Sequence, residues 1–143
     1  MNRRASGPVE LLAILHAAHA AEGEVEARLN AIGLSLAKLV ALKALADAGE
    51  PVPLGQLADR LSCVKSNITQ LVDRLEADGL VARKAAANDR RTKLASLTAA
   101  GRRACEEGTR VQRDAERDLL KRLSADETRQ LGSLLAKFGG LEG

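Results

Sequence analysis

Aromatic side chains are almost missing: Phe138 is the only Phe, and the chain has no Trp and no Tyr among its 143 residues. Single-strand binders and the common RNA modules stack bases on aromatic platforms, so this composition disfavours both. Cysteine is nearly as scarce, with Cys63 and Cys105 far apart and no Cys-x-x-Cys pair or His-rich tract to imply a structural zinc. Also missing are a Gly-rich phosphate loop, a Ser nucleophile elbow, a His-Glu-x-x-His pattern and paired acids placed to raise one pKa. No enzyme and no cofactor are therefore expected. The uncharged stretch between Glu10 and Glu22 is shorter than the about twenty residues a membrane helix needs. Asn2-Arg3-Arg4 and the apolar residues after it superficially resemble a signal peptide, but Glu10 and His16 interrupt the run. A cytoplasmic protein with no membrane partner is the expectation.

A chain of 143 residues has one-domain length and buries an adequate core, which dimerisation would enlarge. Its net charge of +3 and pI near 9.1 argue weakly for a nucleic-acid partner. The clustering of the cations says more than their total. They gather in Leu57 to Thr98, LADRLSCVKSNITQLVDRLEADGLVARKAAANDRRTKLASLT, which reads as helix, turn, helix, strand, basic loop, strand. That order predicts a winged helix-turn-helix holding DNA: a mainly α fold with a small β-hairpin.

Within it, a helix is expected from about Lys65 to Asp78, because Ile68, Leu71, Val72 and Leu75 recur at i, i+3, i+4 and i+7. The other face is polar. Ser66, Asn67 and Gln70 suit base edges in a major groove, and Lys65 and Thr69 suit phosphates; the alternative is the solvated face any exposed helix has. Asp73 and Arg74 are expected to join helix and wing through an ion-pair or hydrogen-bond network. Gly79 can take the left-handed conformation that ends the helix, with Leu80 packing back on Leu75.

Next, Leu80 to Lys84 and Lys93 to Thr98 are expected to pair across the loop Ala85 to Thr92, a hairpin with a long tip. Against one acid, Asp89, it carries Arg83, Lys84, Arg90, Arg91 and Lys93. Two adjacent arginines at a tip repel each other unless a polyanion is the partner. Such a loop can straddle a phosphate backbone and push an arginine into the narrow minor groove.

The segments LADRL, NITQLVDRLEADGLV and NDRRTKLASLTAAG resemble the MarR family of multiple-antibiotic-resistance-type transcriptional regulators: its recognition helix, its Asp-x-Arg wing and its Leu-Thr-x-x-Gly exit into the next helix. These motifs cover roughly the middle half of the chain. The resemblance implies an obligate homodimer that binds a pseudo-palindromic operator in double-stranded DNA and is released by a small molecule or an oxidant. It implies that Arg91 is the minor-groove residue, steadied by Asp89. Val64 stands where such proteins often carry a Ser or Thr N-cap, so the cap is expected at Ser62 or Ser66. One MarR-like domain over residues 1–143 follows, with dimerisation helices at 6–30 and 101–140 around a winged helix-turn-helix at 34–100.

Apolar periodicity supports those flanking helices. Val9, Leu12, Ala13, His16 and Ala20 form a stripe that Leu11, Ile14 and Leu15 widen beyond one small core's need, which suggests a partner chain. A helix from about Ser35 to Ala48 ends at Gly49-Glu50-Pro51, and Leu54, Leu57, Ala58 and Leu61 form the first helix of the helix-turn-helix. Thr98 is the expected N-cap of a long helix with Ala104, Gly108, Val111, Ala115 and Leu119 along one face. Ser124-x-x-Glu127 is a capping box for a last helix, whose stripe is Leu131, Leu134, Leu135 and Phe138. Part of every stripe packs within its own chain; a twofold dimer would set two recognition helices about 34 Å apart.

His16 and His19 can share a metal with Glu22 or Glu26, but His16 sits on an apolar stripe and no metal is expected. The first helix, with His16 and His19, is instead the guess for the lining of an effector pocket. Cys63 and Cys105 read as small buried hydrophobes. Cys63 has a rival reading as a redox sensor, because the recognition helix's dipole and Lys65 can lower its pKa. The function expected is a repressor whose long helices set the recognition-helix spacing and whose hydrophobic or phenolic effector alters it. A nonspecific architectural protein and a protein-interaction module are the competing readings.

Overall fold

The computed structural model describes residues 8–61 and 67–140. The described elements run α1 (Leu11–Asn30), α2 (Leu36–Ala48), β1 (Val52–Pro53), α3 (Leu54–Arg60), α4 (Ile68–Ala77), β2 (Val81–Ala86), β3 (Asp89–Leu97), α5 (Ala99–Leu120) and α6 (Ala125–Phe138). The fold is mostly helical, with one small antiparallel sheet in the order β1-β3-β2.

The core gathers around α2. Leu39, Ala41 and Leu42 are wholly inaccessible, and Leu29, Leu57, Val72, Leu75 and Ala95 join them from α1, α3, α4 and β3. Ser35 starts α2 by accepting the Lys38 N–H at 3.1 Å, and Glu26 of α1 accepts the Leu36 N–H at 3.2 Å. Gly49, at φ 67°, stops it. α5 approaches α2 closely at Gly108, where an added Cβ would meet the ends of Leu39 and Leu34 at 2.7 and 2.8 Å.

The structure corrects three expected boundaries. Helix α4 begins at Ile68, not near Lys65, and its cap is Asn67, not Ser62 or Ser66; Ser62 and Ser66 themselves lie outside the described residues. The hairpin strands run further than expected, so the tip between them is only Ala87 and Asn88. The irregularity lies inside β3: Ala85 pairs with Lys93 and Ala86 with Asp89, leaving Arg90, Arg91 and Thr92 bulged out of register. The third correction is β1, a strand unforeseen because two residues carry no alternation; Val52 pairs with Ala95, and Pro51 and Pro53, without N–H groups, keep it short.

Thr98 knots three elements together. Its N–H donates to the Leu80 carbonyl at 3.1 Å, its hydroxyl donates to the Gly79 carbonyl at 2.6 Å, and the same oxygen accepts the Gly101 N–H at 3.0 Å. The wing exit, the end of α4 and the start of α5 therefore meet at one side chain. Gly101 fits beneath it because a Cβ there would lie 2.0 Å from the Leu80 carbonyl oxygen.

Candidate nucleic-acid interface

Helix α4 divides as its sequence requires: Leu71, Val72 and Leu75 are buried, and Thr69, Gln70, Asp73 and Arg74 are exposed. Its end is a Schellman motif, with the Leu80 N–H on the Leu75 carbonyl and the Gly79 N–H on the Glu76 carbonyl, both at 2.9 Å, and Gly79 at φ 75°. The exposed face is thus held at both ends. At the front, Asn67 Oδ1 accepts the Thr69 and Gln70 N–H groups at 3.1 and 3.3 Å. Asn67, expected at a base edge, is also the cap of α4: its side-chain oxygen satisfies orphan helix donors. Lys65, Ser66 and Cys63 lie outside the described residues.

At the wing tip, Asp89 Oδ1 accepts the Arg91 N–H at 2.9 Å and Oδ2 accepts the Thr92 hydroxyl at 3.1 Å. Asp89 thereby shapes the bulge through the Arg91 backbone and leaves the guanidinium outside. Arg90, Arg91 and Lys93 are all exposed, and among the described residues none is ion-paired.

Arg74 does not join helix to wing as expected; among the described residues it makes no ion pair. That work falls to Arg83 of β2, whose guanidinium reaches Asp73 at 2.7 Å and Glu76 at 3.1 Å. The hydrogen bond from Arg83 holds the Glu76 carboxyl below its ordinary range. Sequence reasoning counted Arg83 among the free wing cations. The available signal was the pair of acids one turn apart on α4, facing a strand residue of opposite charge. A second fastening, Lys38 of α2 to Asp78 at 2.9 Å, links residues 40 apart and left no local signal.

His16 and His19 are exposed on α1 and line one side of an open hollow of about 890 Å³, with Leu12, Leu15, Glu22 and Glu26 on the same helix and Leu36 and Ala37 of α2 opposite. Among the described residues no three His, Cys, Asp or Glu side chains converge as a metal site. Cys105 is buried in α5, and burial pushes its thiol pKa up, away from the reactive thiolate. Among the described residues no helix is long and apolar enough to cross a membrane.

Known proteins share this arrangement. The HTH-type transcriptional repressor Rv2887 of Mycobacterium tuberculosis is 33% identical over 116 residues, 81% of this chain and 83% of that protein. Wild-type MarR of E. coli in its apo form superposes with a TM-score of 0.78 at 27% identity, over 93% of this chain and 98% of that one. A mutant of the same protein complexed with operator DNA gives a TM-score of 0.76 at 28% identity, over 87% and 89%. The MarR family model matches residues 32–92, from the start of the core helix to the wing bulge. This chain therefore belongs to the MarR family of transcriptional regulators.

Proposed function

We propose that the protein is a homodimeric, sequence-specific repressor that binds a pseudo-palindromic operator in double-stranded DNA and is relieved by a small, largely apolar effector. The observation that carries the DNA reading is the division of charge in the wing: Arg83 is neutralised by α4, while Arg90, Arg91 and Lys93 beside it are exposed. Cations left on a bulge fastened to a polar helix face suit a phosphate backbone and a minor groove. Thr69 and Gln70 face the major groove in this reading, Arg91 enters the minor groove, and Asp89 sets its backbone.

Dimerisation is supported by apolar side chains left bare at both ends of the chain. Val9 is 80% exposed, Leu134 62% and Phe138 73%, and Leu11 and Leu135 are also exposed. A monomer rarely leaves so many large apolar side chains bare in water. For effector relief, the first turn of α2 both borders the hollow, at Leu36 and Ala37, and holds the end of α4, through Lys38 and Asp78. Effector and operator are then coupled by their difference in affinity for two positions of the reading head. Redox sensing through Cys63 receives no support from the described thiol, Cys105, which burial deactivates.

The test is a fluorescence-anisotropy titration of wild type and Arg91→Ala on duplexes from the gene's upstream region and on a scrambled control, at several salt concentrations. Selective, salt-steep binding that Arg91→Ala weakens by about 1–3 kcal/mol per half-site, with a salt slope shallower by about 0.9 for each of the two wings, is expected. Equal weak binding to every duplex would refute specificity and favour an architectural role.

A further inference from the structure

Resting on the effector reading above, we propose that the hollow between α1 and α2 selects a small amphipathic organic cation, an apolar body ending in a protonated amine. The lining is ordered along α1. Leu12 and Leu15 lie at the N-terminal end and Glu22 and Glu26 at the C-terminal end, all on one helical face, with the histidine rings between them. The hollow therefore has an apolar end and an acidic end a few helical turns apart, a polarity that an amphiphile matches in one orientation only.

Among the described residues the two glutamates are the lining's only carboxylates, and no Lys or Arg lines the hollow. The nearest cation along α2, Lys38, has its ammonium committed to Asp78 at 2.9 Å. An anionic ligand would meet two carboxylates, with the His16 and His19 rings as the only described groups able to offer a counter-charge. The orphan N–H at the start of α2, which would suit an anion, is already filled: Leu36 N–H donates to both Glu26 oxygens at 3.2 and 3.3 Å. These are long, shared hydrogen bonds on a half-buried carboxylate. An ammonium can pair with Glu26 without displacing a protein group, and in drawing the carboxylate toward itself it weakens the fastening of α2, the helix that holds α4.

The experiment is isothermal titration of the full chain at neutral pH with three probes of one shape: 4-butylbenzylamine, 4-butylbenzyl alcohol and 4-butylbenzoate. The amine is expected to bind about two- to fivefold tighter than the alcohol, the effect of one charge contact at a partly exposed site, with the benzoate weakest. Glu22→Gln, at an exposed position that does not bond α2, should reduce the amine's advantage and leave the alcohol's affinity unchanged, and Glu26→Gln should reduce the amine's advantage as well. Benzoate binding as tightly as the amine would overturn the ligand class and leave an effector hollow standing. Amine affinity indifferent to both substitutions would also overturn it. Failure of all three probes, as when a second copy of the chain fills the hollow, would overturn the class and the effector reading together.

Discussion

Gly101 is the position where a single added methyl group tests the fold most sharply. A Cβ there would lie 2.0 Å from the Leu80 carbonyl oxygen and 3.2 Å from Leu97 Cδ2. Ordinary contact needs well over 3 Å, so the start of α5 must retreat from the end of α4 by about 1 Å or more. The obstacle is backbone, itself bonded to the Thr98 N–H at 3.1 Å, so no side-chain rotation relieves it. Retreat strains the two other Thr98 hydrogen bonds, each worth about 1 kcal/mol, and adds an overpacking cost of about 1–3 kcal/mol. The helix-propensity gain of Ala over Gly returns at most about 1 kcal/mol. Gly101→Ala is therefore expected to destabilise by about 2–4 kcal/mol and lower Tm by about 10 °C. Circular dichroism at fixed protein concentration is the assay, since the chain has neither Trp nor Tyr. Gly132→Ala supplies the scale: nothing lies within 4 Å of its would-be Cβ, and it should stabilise by about 0.5–1 kcal/mol. If Gly101→Ala were as stable as wild type, the close approach of α5 to Leu80 would be wrong.

Other perturbations separate fastening from charge. Asp73→Arg adds positive charge beside the reading helix, so electrostatics alone would tighten DNA binding; loss of the Arg83 bridge should instead weaken it a few-fold, and Asp73→Arg with Arg83→Asp should restore it. Restoration absent in an anisotropy titration would remove Arg83 from the wing's support. Phe138→Asp and Leu134→Asp should leave the helix content unchanged and shift sedimentation from dimer to monomer, because both side chains are exposed within one chain; an unaltered dimer would place the interface elsewhere. On the acid side, Glu127 is held below its ordinary pKa first by the Ser124 backbone N–H, Glu76 by Arg83, and Asp118 by Lys121 and then Arg28. Their folded pKa values are depressed, so their stabilisation is present above the ordinary carboxylate range and is lost as pH falls through the lowered values. Carboxyl NMR titration that found Glu127 at or above an unperturbed glutamate would contradict the capping box.

The amino-acid sequence determined by itself whatever depends on neighbours a few residues apart. The buried stripe of α4, its stop at Gly79, the Ser124 and Thr98 caps and the order of the elements rest on periodicity and capping chemistry. Of the candidate site, the exposed Thr69 and Gln70 and the basic wing were legible for the same reason. Tertiary structure decided what depends on distant partners. A two-residue strand between prolines has no pattern of its own and exists because β3 supplies its hydrogen bonds. The bulge at Arg90 to Thr92 and the choice of Arg83 over Arg74 as the link to α4 were settled by backbone geometry and by which charge lay within reach. Gly101 is a small residue in any helix until Leu80 is folded against it; only then does the absence of a Cβ become a requirement.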